Sequence, residues 1–321
     1  MTTIAARRSS ALAVTEQSTT VVTICAHRKT VQPPSGATPL SLTLGSQKAV
    51  QSAWIEKIRT LPVDVVASAL YAGRGFRLAT QAAKISESRL YILSAGLGLV
   101  AADRPVPAYG LTISGGHADS VGARVTGRFD VAAWFSALLA GPHSNQWVDA
   151  FGPGAGRVLI ALTRPYAEMV GESLSALEPR ALARLRIFGK ALAPALPTSL
   201  HSALAPYDER LDVVLPGTRA DFSQRALLHF VRSVVVKCDA QGRDGDYAAV
   251  EVALGGVVPR DRLRRPRRSD EEILQLISGR LRSQSGIARI LRALRDEDGV
   301  ACEQARFGRL YRTALEQRAA A

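Results

Sequence analysis

The sequence predicts an α/β protein: a three-layer, mainly parallel sheet, followed by a small basic domain of helix-turn-helix type. Three observations predict it. Short apolar runs recur at 21–25, 89–93, 157–162 and 184–188, the first of them β-branched. Between them lie longer stretches with apolar residues at helical spacing, the alternation that crossover helices give a parallel sheet. From residue 215 onward the chain changes character and becomes rich in arginine.

The elements follow in chain order. Residues 1–19 are small and polar and read as a flexible tail. The first strand, 21–25, opens into the polar loop Cys25-Ala-His-Arg-Lys29. Trp54, Ile55 and Ile58 mark a helix over 49–60, and 63–70 reads as a second strand. A helix over 73–84 starts after the Gly73 turn. The strand 89–93 runs into Ser94-Ala-Gly-Leu-Gly-Leu99, too rich in glycine to continue as a ladder. Helices over 129–140 and 166–177 flank the strand 157–162. Residues 190–206, with three prolines, are expected to be connecting loops. These elements make a pocket domain over 20–214.

The remaining 215–321 form the expected basic domain. A helix over 223–232 precedes two strand-like pieces, 233–237 and 247–254. A loop carrying Arg260, Arg262, Arg264, Arg265, Arg267 and Arg268 leads to three helices. The first of these opens with a serine cap and an acidic first turn, Ser269-Asp-Glu-Glu272. The last presents Gln304, Arg306, Arg309 and Arg312 opposite an apolar face of Phe307, Leu310, Tyr311 and Leu315.

Charge bounds the partner. Lys and Arg number 41 against 28 Asp and Glu, a net charge of +13 over 321 residues. Such an excess favours a polyanion through counterion release, so DNA is the expected partner, with the arginine loop and last helix as its grip. The three cysteines are far apart and form no CxxC pair, which argues against a disulfide framework and a cysteine-rich zinc site. The expectation is a reducing, cytoplasmic compartment. No apolar run approaches membrane-spanning length. Gly152-Pro-Gly-Ala-Gly156 lacks the Gly-Lys-Ser/Thr of a phosphate loop and precedes a strand instead of following one. No metal and no nucleotide cofactor are therefore expected.

The segment 90–109 carries the strongest candidate for chemistry. A strand ends in the turn Ser94-Ala-Gly-Leu-Gly98, and Asp103 and Tyr109 follow in a proline-stiffened loop. Ligands of open parallel sheets bind beyond the carboxyl ends of the strands. Asp103 is then either a functional carboxylate or the cap of a turn.

Leu93-Ser-Ala-Gly-Leu-Gly-Leu99, an acid a few residues on and Pro107-Ala-Tyr109 resemble the pattern of small α/β domains found in bacterial defence proteins. That group resembles the uracil-DNA glycosylase superfamily. The loop from Cys25 to Lys29 and the run Leu70-Tyr-Ala-Gly-Arg-Gly-Phe-Arg77 are similar to further motifs of these domains. The likeness covers residues 20–120, and the first loop departs from the serine-containing form. It implies a DNA-glycosylase-like fold that cleaves an N-glycosidic bond. The implied substrate is a modified base of viral DNA, in particular glucosylated hydroxymethylcytosine.

Such chemistry needs a flipped base in a pocket and a carboxylate near an oxocarbenium-like sugar. Asp103 is the candidate carboxylate, and Tyr109, Lys29 or His27 the donor to the leaving base. Tyr71 or Phe76 would stack on the base, with Cys25, His27, Ser94 and Gly98 completing the pocket. Arg74, Arg77 and Arg219 are candidate phosphate contacts. Two other readings stand beside this one: a non-catalytic DNA-binding regulator or damage protector, and a base-exchanging transglycosylase.

Overall fold

The computed structural model describes residues 19–238, 242–259, 266 and 268–319. The chain forms two compact units, Met1–Arg260 and Asp261–Ala321.

In the first unit, β1 (Thr20–Ile24) is followed by α1 (Gln47–Thr60), capped by Ser46. Next come a two-residue strand, β2 (Val65–Val66), and the single helical turn α2 (Ala67–Leu70). The chain continues through α3 (Arg74–Ile85), β3 (Arg89–Ser94), β4 (Gly98–Ala101) and β5 (Pro105–Val106). Helices α4 (Val131–Leu139) and α5 (Trp147–Phe151) precede β6 (Val158–Ala161). After it come α6 (Arg164–Ser175), α7 (Pro179–Arg184), β7 (Leu185–Phe188) and α8 (Leu211–Val214). Helices α9 (Phe222–Phe230) and α10 (Gly242–Ala253) complete it.

The sheet runs β4-β3-β1-β6-β7. All neighbours are parallel except the β3–β4 pair. Both faces are covered. Val22, Ile92, Ile160 and Ile187 pack with Trp54, Trp134, Phe135 and Val170 in one core. Val21, Leu159, Ala161 and Phe188 pack with Ala79, Leu227, Phe230 and Val250 in the other. Strands buried on both faces need near-continuous apolar runs, which is why they stand out in the sequence.

Four expectations are corrected. The ladder does continue past the glycines: β3 turns back as the antiparallel β4, with Ser94 opposite Gly98. The stretch 63–70 yields only two strand residues before a helical turn. The pieces at 233–237 and 247–254 are not strands. Val231–Val235 is a π-helical continuation of α9, and 247–254 lies mostly in α10. Val234, Val250 and Leu254 are buried there against the second core, and that burial overrides their β preference. The boundary expected at 214/215 falls inside the first unit, because α9 belongs to the second core of the sheet domain.

The second unit holds α11 (Asp270–Leu281), α12 (Ile287–Asp296) and α13 (Gln304–Ala319). Ser269 and Glu272 form a reciprocal capping box at the start of α11. Ile273, Ile277, Ile290, Leu294, Phe307 and Leu310 form its core. Leu315, expected on the inner face of the last helix, is 41% exposed.

Among the described residues, no helix is long and apolar enough to cross a membrane.

Candidate active site at the carboxyl end of the sheet

The strand order reverses at β1, the place where open α/β sheets hold their ligands. Cys25 follows β1 directly, and its amide donates to the Leu93 carbonyl at 2.8 Å. Ser94 ends β3, and Tyr166 lies in the first turn of α6, just beyond β6. Tyr71 and Tyr109 join them from the connecting segments.

These five side chains are buried and bonded to one another. Ser94 Oγ lies 2.7 Å from the Tyr109 hydroxyl, and the Tyr71 hydroxyl donates to Ser94 Oγ at 3.3 Å. The two phenol oxygens are 3.1 Å apart. Cys25 Sγ stands 3.0 Å from the Tyr166 hydroxyl. Buried hydroxyls need such partners. Burial, with the Cys25 sulfur as the next cause, pushes the phenols of Tyr71, Tyr109 and Tyr166 above their ordinary pKa. They therefore stay protonated and serve as hydrogen-bond donors.

Lys29 roofs this cluster. Its Nζ lies 4.6 Å from the centre of the Tyr109 ring and 6.0 Å from that of Tyr71, within cation–π range. Its backbone is fixed by a bridge to Tyr71. On either side of the bridge the Thr30 amide donates to the Leu70 carbonyl, and the Ala72 amide to that of Arg28. Burial lowers the pKa of the amine, while Cys25 and Asp119 draw it back up. Beside it, the His27 imidazole meets Asp119, with Nε2 to Oδ2 at 3.1 Å.

The structure thus gathers Cys25, His27, Lys29, Tyr71, Ser94 and Tyr109 at one end of the sheet. Asp103 is not among them. It is exposed in the turn after β4, where the Ala102 amide donates to the carbonyl of Leu90, at the amino end of β3. The four residue steps from Leu90 to Ser94 span about 13 Å at the usual strand rise. The antiparallel return of β4 carries the acid to the opposite end of the sheet. Asp119, at the site, was missed by sequence reasoning. Its signal was the polar run Gly115-Gly-His-Ala-Asp119, ten residues beyond Tyr109. Tyr166 was missed too, although its place just after a strand marked it.

Two other pocket candidates have packing roles. Phe76 is buried against Tyr71, ring centres 5.6 Å apart. Gly98 adopts φ +88°, and a Cβ there would sit 2.5 Å from Ser144 Oγ, so only glycine fits this turn.

The proposed phosphate contacts divide as well. Arg74 bonds the Pro216 carbonyl at 2.6 Å and Asp221 at 3.0 Å, stapling α3 to the start of α9. Arg77 and Arg219 are exposed. Arg264, Arg265 and Arg267 lie outside the described residues. Arg268 pairs with Glu272, and Arg306 and Arg309 both pair with Asp270, so these three serve the start of α11. A separate apolar cleft of about 630 Å³, lined by Trp147, Phe151, Leu177 and Ala181 among others, lies near the amino end of β6.

No protein-family model, curated protein or solved structure matches this chain.

Proposed function

We propose that the protein is a DNA glycosylase, hydrolysing the N-glycosidic bond of a base flipped out of the duplex. The carrying observation is the grouping of Lys29 and Asp119 with protonated phenols at the carboxyl end of β1 and β3. The C1′–N bond breaks as the sugar gains oxocarbenium character. Asp119 faces that developing charge and orients the attacking water. A new C1′–O bond forms, and the base leaves with the bonding pair and a proton. Lys29 supplies N–H donors to the departing base. The surplus of basic over acidic residues supports DNA as the substrate.

The motif resemblance points to glucosylated hydroxymethylcytosine as the base. A pocket that demands a bulky modification rejects unmodified DNA, which a host carrying such an enzyme requires.

Lys29→Ala and Asp119→Asn are expected to slow formation of alkali-labile sites in glucosylated DNA by about 10²–10⁴-fold, the usual worth of one acid–base group. Asp103→Ala is expected to act at the rate of the unaltered chain. Loss of activity in Asp103→Ala alone would overturn the assignment.

One observation favours a second reading. The hydroxyls of Tyr71, Ser94 and Tyr109 satisfy one another, as a purely structural cluster would. A non-catalytic DNA-binding protein follows from it, one that binds DNA in a salt-dependent way and releases no base.

A further inference from the structure

His27, His117 and Asp119 meet at the rim of the site from two different loops. His27 follows β1, and the other two sit in the loop 112–121. That loop is closed on itself. Thr112 pairs with Ser120 in a short bridge. The Thr112 amide donates to the Asp119 carbonyl at 2.9 Å, the Val121 amide to Thr112 at 3.0 Å and the Ser120 amide to His117 at 3.1 Å. Gly116, at φ +80°, makes the reversal. The backbone that carries His117 and Asp119 is therefore set by bonds that need no ligand.

One ligand atom from each of the three side chains lies within 4.8 Å of the other two. The imidazole rings are 5.2 Å apart between centres and tilted by 36°. A tetrahedral ion with bonds of 2.0–2.1 Å holds neighbouring ligand atoms about 3.3 Å apart. The 3.1 Å between His27 Nε2 and Asp119 Oδ2 matches that edge. His117 is exposed, and a turn of its ring is what closing the triangle requires.

We propose that His27, His117 and Asp119 bind a divalent cation of the zinc class. Two imidazoles with one carboxylate suit zinc, whereas magnesium and calcium prefer oxygen ligands throughout. Three protein ligands leave one position open, the arrangement of catalytic and not of structural zinc sites. The site adjoins Lys29 and shares Asp119 with the proposed glycosylase chemistry. Metal binding is read by titration and base release by product, so failure of one is distinguishable from failure of the other.

The alternative is a plain contact between His27 and Asp119, in which His117 takes no part. The test uses the full chain stripped of metal, in a Cys238→Ser background that removes the exposed thiol. Zinc is titrated against a chromophoric chelator, and cobalt(II) is followed by its visible absorption. The expected result is one equivalent bound, with a tetrahedral cobalt spectrum free of thiolate charge transfer. His117→Ala and Asp119→Asn each weaken binding at least tenfold, with circular dichroism unchanged. Zinc uptake that is absent, or equal in the parent and both variants, overturns the proposal. Base release is measured on the same samples with and without zinc, and it bears on the glycosylase reading alone.

Discussion

Gly96 fixes where Tyr109 can stand. A Cβ at that position would lie 2.5 Å from Tyr109 Cε2 and 3.2 Å from Trp54 Cζ2. The same turn is held by indole donors: Trp54 Nε1 bonds the Gly96 carbonyl and Trp134 Nε1 the Ala95 carbonyl, each at 2.8 Å. Gly96→Ala is therefore an overpacking change worth about 1–3 kcal/mol. It is expected to lower the urea midpoint and to displace the Tyr109 hydroxyl from Ser94. An unaltered midpoint would mean that the ring and the turn are not in close approach. Much of this site was legible at the level of single residues. Cys25 follows β1 and Ser94 ends β3, strands whose apolar character is plain, and an open parallel sheet places its ligands there. Asp119 was legible only as part of the polar run 115–119, because nothing in that run shows that the loop 112–121 folds back beside β1. Asp103 was misplaced for a related reason: sequence adjacency to Ser94 carries no information about the direction of β4.

At the scale of elements, the parallel strands were read correctly and the valine-rich segments after α9 were not. Strand-like composition at 233–237 and 247–254 belongs to helical backbone that buries Val234, Val250 and Leu254. The three-residue spacing of Val231 and Val234 and the four-residue spacing of Val250 and Leu254 were the available signal, outweighed by the local run of valines. Helix α10 also carries Asp246, which is fully buried. It receives Arg157 Nη2 at 2.8 Å and Arg186 Nε at 2.7 Å, so that α10 is tied to the residue before β6 and to β7. Arg186 is itself 2% exposed, and burial lowers its pKa against the pull of Asp246. Asp246→Asn would leave a buried guanidinium without its counter-charge, at a cost of about 3–5 kcal/mol. Chemical denaturation checks this. A loss below about 1 kcal/mol, the range of exposed pairs, would contradict a structural role for the triad.

For the molecule as a whole, the chain divides into a sheet domain that extends to Arg260 and a three-helix unit beyond it. The sequence showed that division but set it too early, since the apolar face of α9 gives no sign of which core it joins. The basic surplus was visible from composition. Composition could not show that Arg74, Arg268, Arg306 and Arg309 are engaged with acidic neighbours. Cations on exposed positions such as Arg77 and Arg219, together with the arginine-rich sequence 260–268, are the first places to look for phosphate contacts. The central claim is that the cluster under Lys29 cleaves an N-glycosidic bond in DNA. The most direct measurement is mass spectrometry of the bases released when the full chain is incubated with unmodified DNA and with DNA bearing glucosylated hydroxymethylcytosine. The account predicts free modified base, and an equal number of abasic sites, from the second substrate only. Tight, salt-sensitive binding to both DNAs with no base released from either would contradict it.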